Sequence, residues 1–326
     1  MPTRDLARTR RRLLQAGGAV LAAAGAGCSS RFPTPETGPF AVLFAEPVDD
    51  GGFNSSVLEA VTRTEAARGI PMRVGAVPAG DATAAADALR RLARSDAKMI
   101  YGVGPHFSAP MQRVAWEYPQ RRFTLLQDSV LRPNMAAYVL NEEEPAWLAG
   151  FLAARLSAAR AVALVSDAPG PRSGRIEAAF RAGSLRGRGE TAVAVESAAG
   201  GQAAAVARLS GRADIVYGAL DSAPHEAVAA CRAAGVRFIG CVRDWIPLDP
   251  QTVVASALID PGALFTAASG DIVDAVWRGD LLRTYGLRYP RMLGFAVGRD
   301  VPGTLADQVV SAALDVAGGR VGLPPL

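Results

Sequence analysis

From Phe40 onward, short apolar runs alternate with longer stretches of helical period, and that alternation confines the chain to one class of fold. Strand patterning covers 40–45, 72–77, 99–103, 123–126, 137–140, 161–166, 192–196, 214–217, 237–241 and 252–258. Helical patterning covers 55–68, 82–94, 108–118, 142–156, 174–183, 203–209, 224–234, 261–278 and 305–317. The strands are almost continuously apolar, as strands are when both faces of a sheet are covered. An α/β protein with doubly wound parallel sheets follows. Roughly 300 residues exceed what one core serves well, so two lobes are expected. Ligands of such sheets bind beyond the carboxyl ends of the strands. The loops where function should sit are therefore 46–54, 104–107, 127–132, 167–173, 218–224 and 242–247. Asn141 is expected to cap helix 142–156, whose Glu142, Glu143 and Glu144 suit the positive end of its dipole.

The first 28 residues specify a compartment. Arg10, Arg11 and Arg12 precede an apolar stretch from Leu13 to Ala24, and small residues lead into Cys28. Those are the parts of an export signal. The arginine pair resembles a twin-arginine address, and the small residues before Cys28 resemble a lipobox, in which the cysteine sulfur takes a diacylglycerol. A membrane-spanning helix needs about 20 apolar residues, more than Leu13 to Ala24 supplies. Residues 1–27 are thus expected to be a cleaved signal peptide, Cys28 a lipid anchor, and the Pro-rich 28–38 an extended tether. The expected location is the cell envelope, on the periplasmic or extracellular face of a membrane.

Five of the 35 basic and one of the 31 acidic residues precede Cys28, so the remainder carries 30 of each. A neutral body lacks the electrostatic footprint of a nucleic-acid binder. Cys231 and Cys241 sit in apolar settings and read as buried free thiols, with a single disulfide as the alternative. His106 and His225 are isolated from other ligand-type residues, so no metal is expected. No cofactor is expected either. Nucleophile-elbow and phosphate-loop motifs are absent, and neither Cys231 nor Cys241 has a basic, activating setting. An exported enzyme is accordingly disfavoured against a binding protein.

The sharpest motif runs from Val48 to Ser55, where Asp50, Gly51, Gly52, Phe53 and Asn54 lie between the first strand and the first helix. An aromatic ring beside a carboxamide suits a planar heterocycle: the ring stacks on it, for about 1–3 kcal/mol, and the amide offers a donor and an acceptor to its edge. The same residues also suit a helix start, with Phe53 as hydrophobic staple and Asn54 as cap.

Asp50, Phe53 and Asn54 resemble the Asp-x-x-Phe-Asn signature of the basic membrane protein family, the lipid-anchored solute receptors of ABC importers whose characterised members bind purine nucleosides. Met99–Gly104, Val114–Pro119 and Phe123–Leu126 are similar to the family's third and fourth β-α units. Glu144–Gly150 is similar to its Glu-x-x-Phe/Tyr-Leu-Ala-Gly helix, and Ala213–Tyr217 with Gly235–Gly240 to its second-lobe strands. The resemblance spans about residues 40–300. It implies a type I periplasmic-binding-protein fold, two lobes joined by three crossovers, which here would divide into 39–133 with about 255–290 and 134–254 with about 291–326. It also implies a small-molecule ligand, an ABC permease and ATPase as partners, and a monomer. A sensor for a membrane signalling partner is the alternative on the same fold.

The departures are informative. The family's Ile-Gly-Val-Asp places a carboxylate on ribose, but Ile239 and Gly240 are followed by Cys241 and Val242. The strand that normally supplies a ligand-facing lysine reads Ser256 to Ile259. Gln127 stands where an acid is expected, with Asp128 after it. The resemblance carries over Phe53 and Asn54, with Asp50 in the same tip, then Gln127 or Asp128, but not the ribose clamp. Loop position adds Asp221 as an acceptor, Trp245 as a second stacking face, its neighbour Asp244, and Tyr217 at the end of a second-lobe strand.

Overall fold

The computed structural model describes residues 38–323. The expected signal peptide, the expected anchor Cys28 and all but the last residue of the expected tether lie outside that range. The first sheet holds β1 (Phe40–Ala45), β2 (Met72–Val77), β3 (Met99–Val103), β4 (Phe123–Leu126), β5 (Met135–Leu140) and β11 (Leu282–Tyr285), in the order β11-β5-β4-β3-β1-β2. The second holds β6 (Ala161–Ser166), β7 (Ala192–Ser197), β8 (Ile215–Ala219), β9 (Arg237–Val242), β10 (Val253–Ile259) and β12 (Leu293–Val297), in the order β12-β10-β9-β8-β6-β7. Every pairing is parallel except β12 on β10.

Strand residues alternate between two buried faces, which is why the runs are continuously apolar. In β1, Phe40, Val42 and Phe44 join the core under α1 (Phe53–Arg68) and α8 (Pro261–Val273), whereas Ala41, Leu43 and Ala45 face α2 (Ala82–Ala93) and α3 (Ser108–Glu117). The second sheet is covered by α4 (Glu143–Leu156), α5 (Pro171–Gly187) and α9 (Gly303–Ala317) on one face and by α6 (Gln202–Leu209) and α7 (His225–Ala233) on the other. Helices α4 and α5 meet backbone to backbone: a Cβ on Gly150 would lie 2.0 Å from the Phe180 carbonyl, and one on Gly183 1.9 Å from that of Trp147. Glycine is required at both.

The chain crosses between lobes three times, after β5, β10 and β11, as the type I periplasmic-binding fold demands. Asn141 N donates to Tyr285 O at 2.7 Å, binding the first crossover to the third. Glu144 adds to that junction, accepting from Asn141 Nδ2 at 3.0 Å and from the Leu287 amide.

Several expectations are corrected. Strand 135–140 pairs in the first sheet and strand 253–259 in the second, the reverse of the division read from sequence, because each crossover follows its strand rather than preceding it. Strands β11 and β12 were not expected at all; one has an exposed leucine and polar neighbours, the other a glycine, and both lie on sheet edges. Helix α8 stops at Val273, where the Val276 and Trp277 amides turn back to the Asp271 carbonyl. Helix α5 starts earlier, with Pro171 in the first turn, where its missing N–H is no loss. Asn141 does not cap α4; its amide goes to the Glu144 side chain instead.

Candidate functional site

The tip between β1 and α1 is held by its own polar side chains. The Asp50 carboxylate accepts from the amides of Gly52 at 2.8 Å, Asn54 at 2.9 Å and Ser55 at 3.0 Å, satisfying the first turn of α1. Asn54 Nδ2 donates to the carbonyls of Ala45 at 3.0 Å and Pro47 at 2.9 Å. Both amide hydrogens are thereby committed to the loop, and only Oδ1 is left for a ligand edge. Phe53 is buried, and its amide donates across to Asp221 O in the second lobe at 2.7 Å. Ala223 N returns a bond to Asp50 O at 2.9 Å. A Cβ on Gly52 would lie 1.9 Å from Asp221 O, so the lobes touch here through bare backbone. Arg243 on the second lobe pairs with Glu59 of α1 at 2.8 Å.

Behind this contact stands a charged wall. Arg172, in the first turn of α5, donates from Nε and Nη2 to the two oxygens of Glu142, and from Nη1 at 3.0 Å and Nη2 at 2.8 Å to those of Asp221. One guanidinium thus forks onto two carboxylates. Burial pushes the Glu142 carboxyl upward against the pull of Arg172. Asp167, which accepts from the Asp221 amide at 2.9 Å, is pushed up to about 6 by burial and by the nearby Asp221 charge. Arg175 pairs with Glu143 at 2.7 Å beside them. The cavity bounded by Gln127, Leu140, Glu142, Arg172 and Arg175 measures about 20 Å³, roughly the room of one water molecule.

Gln127 lines that cavity with its side chain engaged: Oε1 accepts from Leu140 N at 2.9 Å and Nε2 donates to Leu140 O at 3.1 Å. Asp128 accepts from Ser108 Oγ and from the Ser129 amide. Tyr217 lies in the core, stacked on Phe180 with centroids 5.7 Å apart, and donates to Cys241 Sγ at 3.6 Å. Trp245 packs with the core under α6 and α7, its Nε1 donating to Cys241 O at 2.7 Å. The ring closes over Gly240 and so does not oppose Phe53. Asp244 accepts from the Ile246 amide at 3.1 Å in the same turn. Val242 and Ile259 are buried in the apolar cluster that contains Phe53. Both thiols are free and buried, and burial raises each to about 12, as expected of inert cysteines.

The structure therefore brings Asp50, Phe53, Asn54 and Asp221 to the contact between the lobes and places Gln127 and Asp128 on the cavity behind it, while Tyr217 lies in the core, Trp245 packs over Gly240 and Asp244 sits in the turn before Ile246. Sequence reasoning missed Arg172, Glu142 and Asp167; the available signal was that 167–173 is a loop at the carboxyl end of a strand. It also missed a cavity of about 200 Å³ in the first lobe, with Ala45, Val77, Ala85 and Phe107 as apolar floor and Asp81 and His106 at its rim. Among the described residues no group of three His, Cys, Asp or Glu side chains is placed to hold a metal ion.

The family model described as Bmp, ABC transporter substrate-binding protein PnrA-like, matches residues 39–315. The chain belongs to the Bmp family. Solved structures agree on the fold. An ABC transporter system solute-binding protein from Aeropyrum pernix K1 superposes with a TM-score of 0.73 at 19% identity, covering 88% of this chain and 94% of that one. Another from Conexibacter woesei DSM 14684 gives 0.65 at 22%, covering 88% and 98%. A transcriptional activator of the comK gene from Bacillus halodurans gives 0.70 at 17%, covering 88% and 100%. No curated protein matches the chain. As a Bmp protein it is a substrate-binding protein of the ABC transporter type, whose members act outside the cytoplasm, and no described helix is long and apolar enough to cross a membrane.

Proposed function

We propose that this Bmp protein is a lipid-anchored receptor that captures a small planar heterocycle, a purine nucleobase or its nucleoside, and delivers it to an ABC importer without altering it. The observation that supports a base-directed site is apolar filling at the clamp positions. Val242 and Ile259 stand where the family places the ribose carboxylate and lysine, and both are buried with Phe53. A ligand here gains stacking on Phe53 and little from sugar hydroxyls, since no carboxylate waits for them at either position. Asp50 and Asn54 position the tip, with Asn54 Oδ1 left to meet the ligand edge. The 20 Å³ cavity admits no ring, so the lobes separate to load.

Calorimetric titration with adenine, guanine, hypoxanthine and their nucleosides tests the ligand class. A free base is expected to bind within about tenfold of its nucleoside, and Phe53→Ala to weaken both by about 1–3 kcal/mol. A larger preference for nucleosides removes the base-directed reading, because buried polar groups left unpaired by the base would cost about 1–3 kcal/mol each. Failure of all six to bind removes the purine class. The anchor has its own test: Cys28→Ala should move the exported protein from the membrane fraction to the soluble one, and retention after a salt wash refutes lipid attachment.

A further inference from the structure

The first sheet is parallel throughout, so the amino-terminal ends of its strands lie at one pole of the lobe, and the intervening helices return to it. The chain enters at this pole. Lys98 N donates to Pro39 O at 2.8 Å and Phe40 N to Pro71 O at 2.9 Å, so the tether leaves from here. Segments 63–73, 87–98, 113–122 and 274–280 carry eleven Lys and Arg residues against six Asp and Glu. At the opposite, cleft end, loops 46–52, 78–81, 104–107 and 127–129 carry five acidic residues and no Lys or Arg. The lobe is charge-polarised along its strands. Two large apolar side chains stand in solvent at the basic pole: Trp116, 79% exposed near the end of α3, and Val276, 49% exposed after α8. Helix α3 packs through Pro110, Met111, Val114 and Ala115 and does not need Trp116.

We propose that this pole is a membrane-docking surface, with Trp116 seated at the headgroup level of an anionic bilayer and the surrounding arginines facing its charge. The amphipathic indole favours the water–lipid interface. Basic groups are drawn to anionic lipid over about one Debye length. A tether sets only distance. The polarised lobe adds orientation, because the surface that attracts the basic pole repels the acidic cleft end and turns the solute entrance outward. The anchored-receptor reading supplies the membrane, but the docking is measured without the lipid, so the two stand or fall separately.

Residues 28–326 with Cys28→Ala contain every strand and helix described and serve as the test protein. Co-sedimentation compares vesicles of phosphatidylcholine alone with vesicles holding about 30% phosphatidylglycerol as anionic lipid. Partition is expected to be at least about tenfold stronger on the anionic vesicles at low salt and to fall to the neutral value near 0.5 M, about where the Debye length drops below 5 Å. Arg91→Glu with Arg113→Glu should reduce it about tenfold. Trp116→Ala should weaken it about threefold or more and remove the blue shift of tryptophan emission on binding. Equal partition on both vesicles, no partition on either, or indifference to these substitutions overturns the proposal. If the charge-reversed variant fails to fold by circular dichroism, Trp116→Ala alone decides.

Discussion

Arg172→Met is expected to destabilise the protein by about 3–5 kcal/mol at neutral pH, the usual consequence of stripping the partner from a buried charge. Glu142 is 3% exposed and takes two hydrogen bonds from this guanidinium, and Asp221 takes two more. Methionine fills the space of the stem and leaves the carboxylates facing each other. The deficit should shrink as pH falls, because Glu142 is already pushed upward by burial and, once protonated, needs no cation. The double variant Arg172→Met with Glu142→Gln should recover a large part of the loss, since it removes the orphaned charge rather than the pair alone. Urea midpoints of the two variants and the wild type at pH 7 and pH 5 measure all of this. A single variant within 1 kcal/mol of wild type, roughly the value of a solvated pair, would show that the wall is a surface feature.

Gly52→Ala is expected to hold the lobes apart. The added methyl would sit 1.9 Å from the Asp221 carbonyl, and relieving the clash forfeits both backbone bonds between the tips. Two such bonds at about 0.5–1.5 kcal/mol each make closure about five- to 150-fold less favourable, and ligand affinity should fall by the same factor. Small-angle scattering should report a larger radius of gyration for the variant, while the unfolding midpoint changes little because each core is untouched. Identical scattering and identical affinity would mean that the tip contact plays no part in closing.

How far the sequence announces this structure depends on what each residue reports. Strands such as 40–45 and 161–166 are legible because burial on both faces leaves almost no polar positions, whereas β11, on a sheet edge, reads Leu-Arg-Thr-Tyr like a loop, and β12, also an edge, is a short apolar run interrupted by Gly294. The lobe to which a strand belongs has no local marker, and 135–140 and 253–259 were exchanged for that reason. In the site, Asp50, Phe53 and Asn54 stand out as a tip, but that Asn54 turns its amide inward depends on where two carbonyls come to lie. Arg172 is the harder case. An arginine in the first turn of a helix reads as a solvated charge, and its meaning comes from Glu142 and Asp221, thirty and forty-nine residues away.

The interleaving of the two sheets governs the order in which a growing chain can become this protein. Neither lobe is a continuous stretch: the first waits for α8 and β11, the second for β12 and α9. Until residue 285 is made, β5 is an open sheet edge, and such an edge pairs readily with strangers. Assembly therefore proceeds by late, joint completion of both halves rather than one after the other. A chain that stops anywhere between 141 and 260 holds no finished lobe, and swapping one lobe between relatives requires transplanting two separated segments at once.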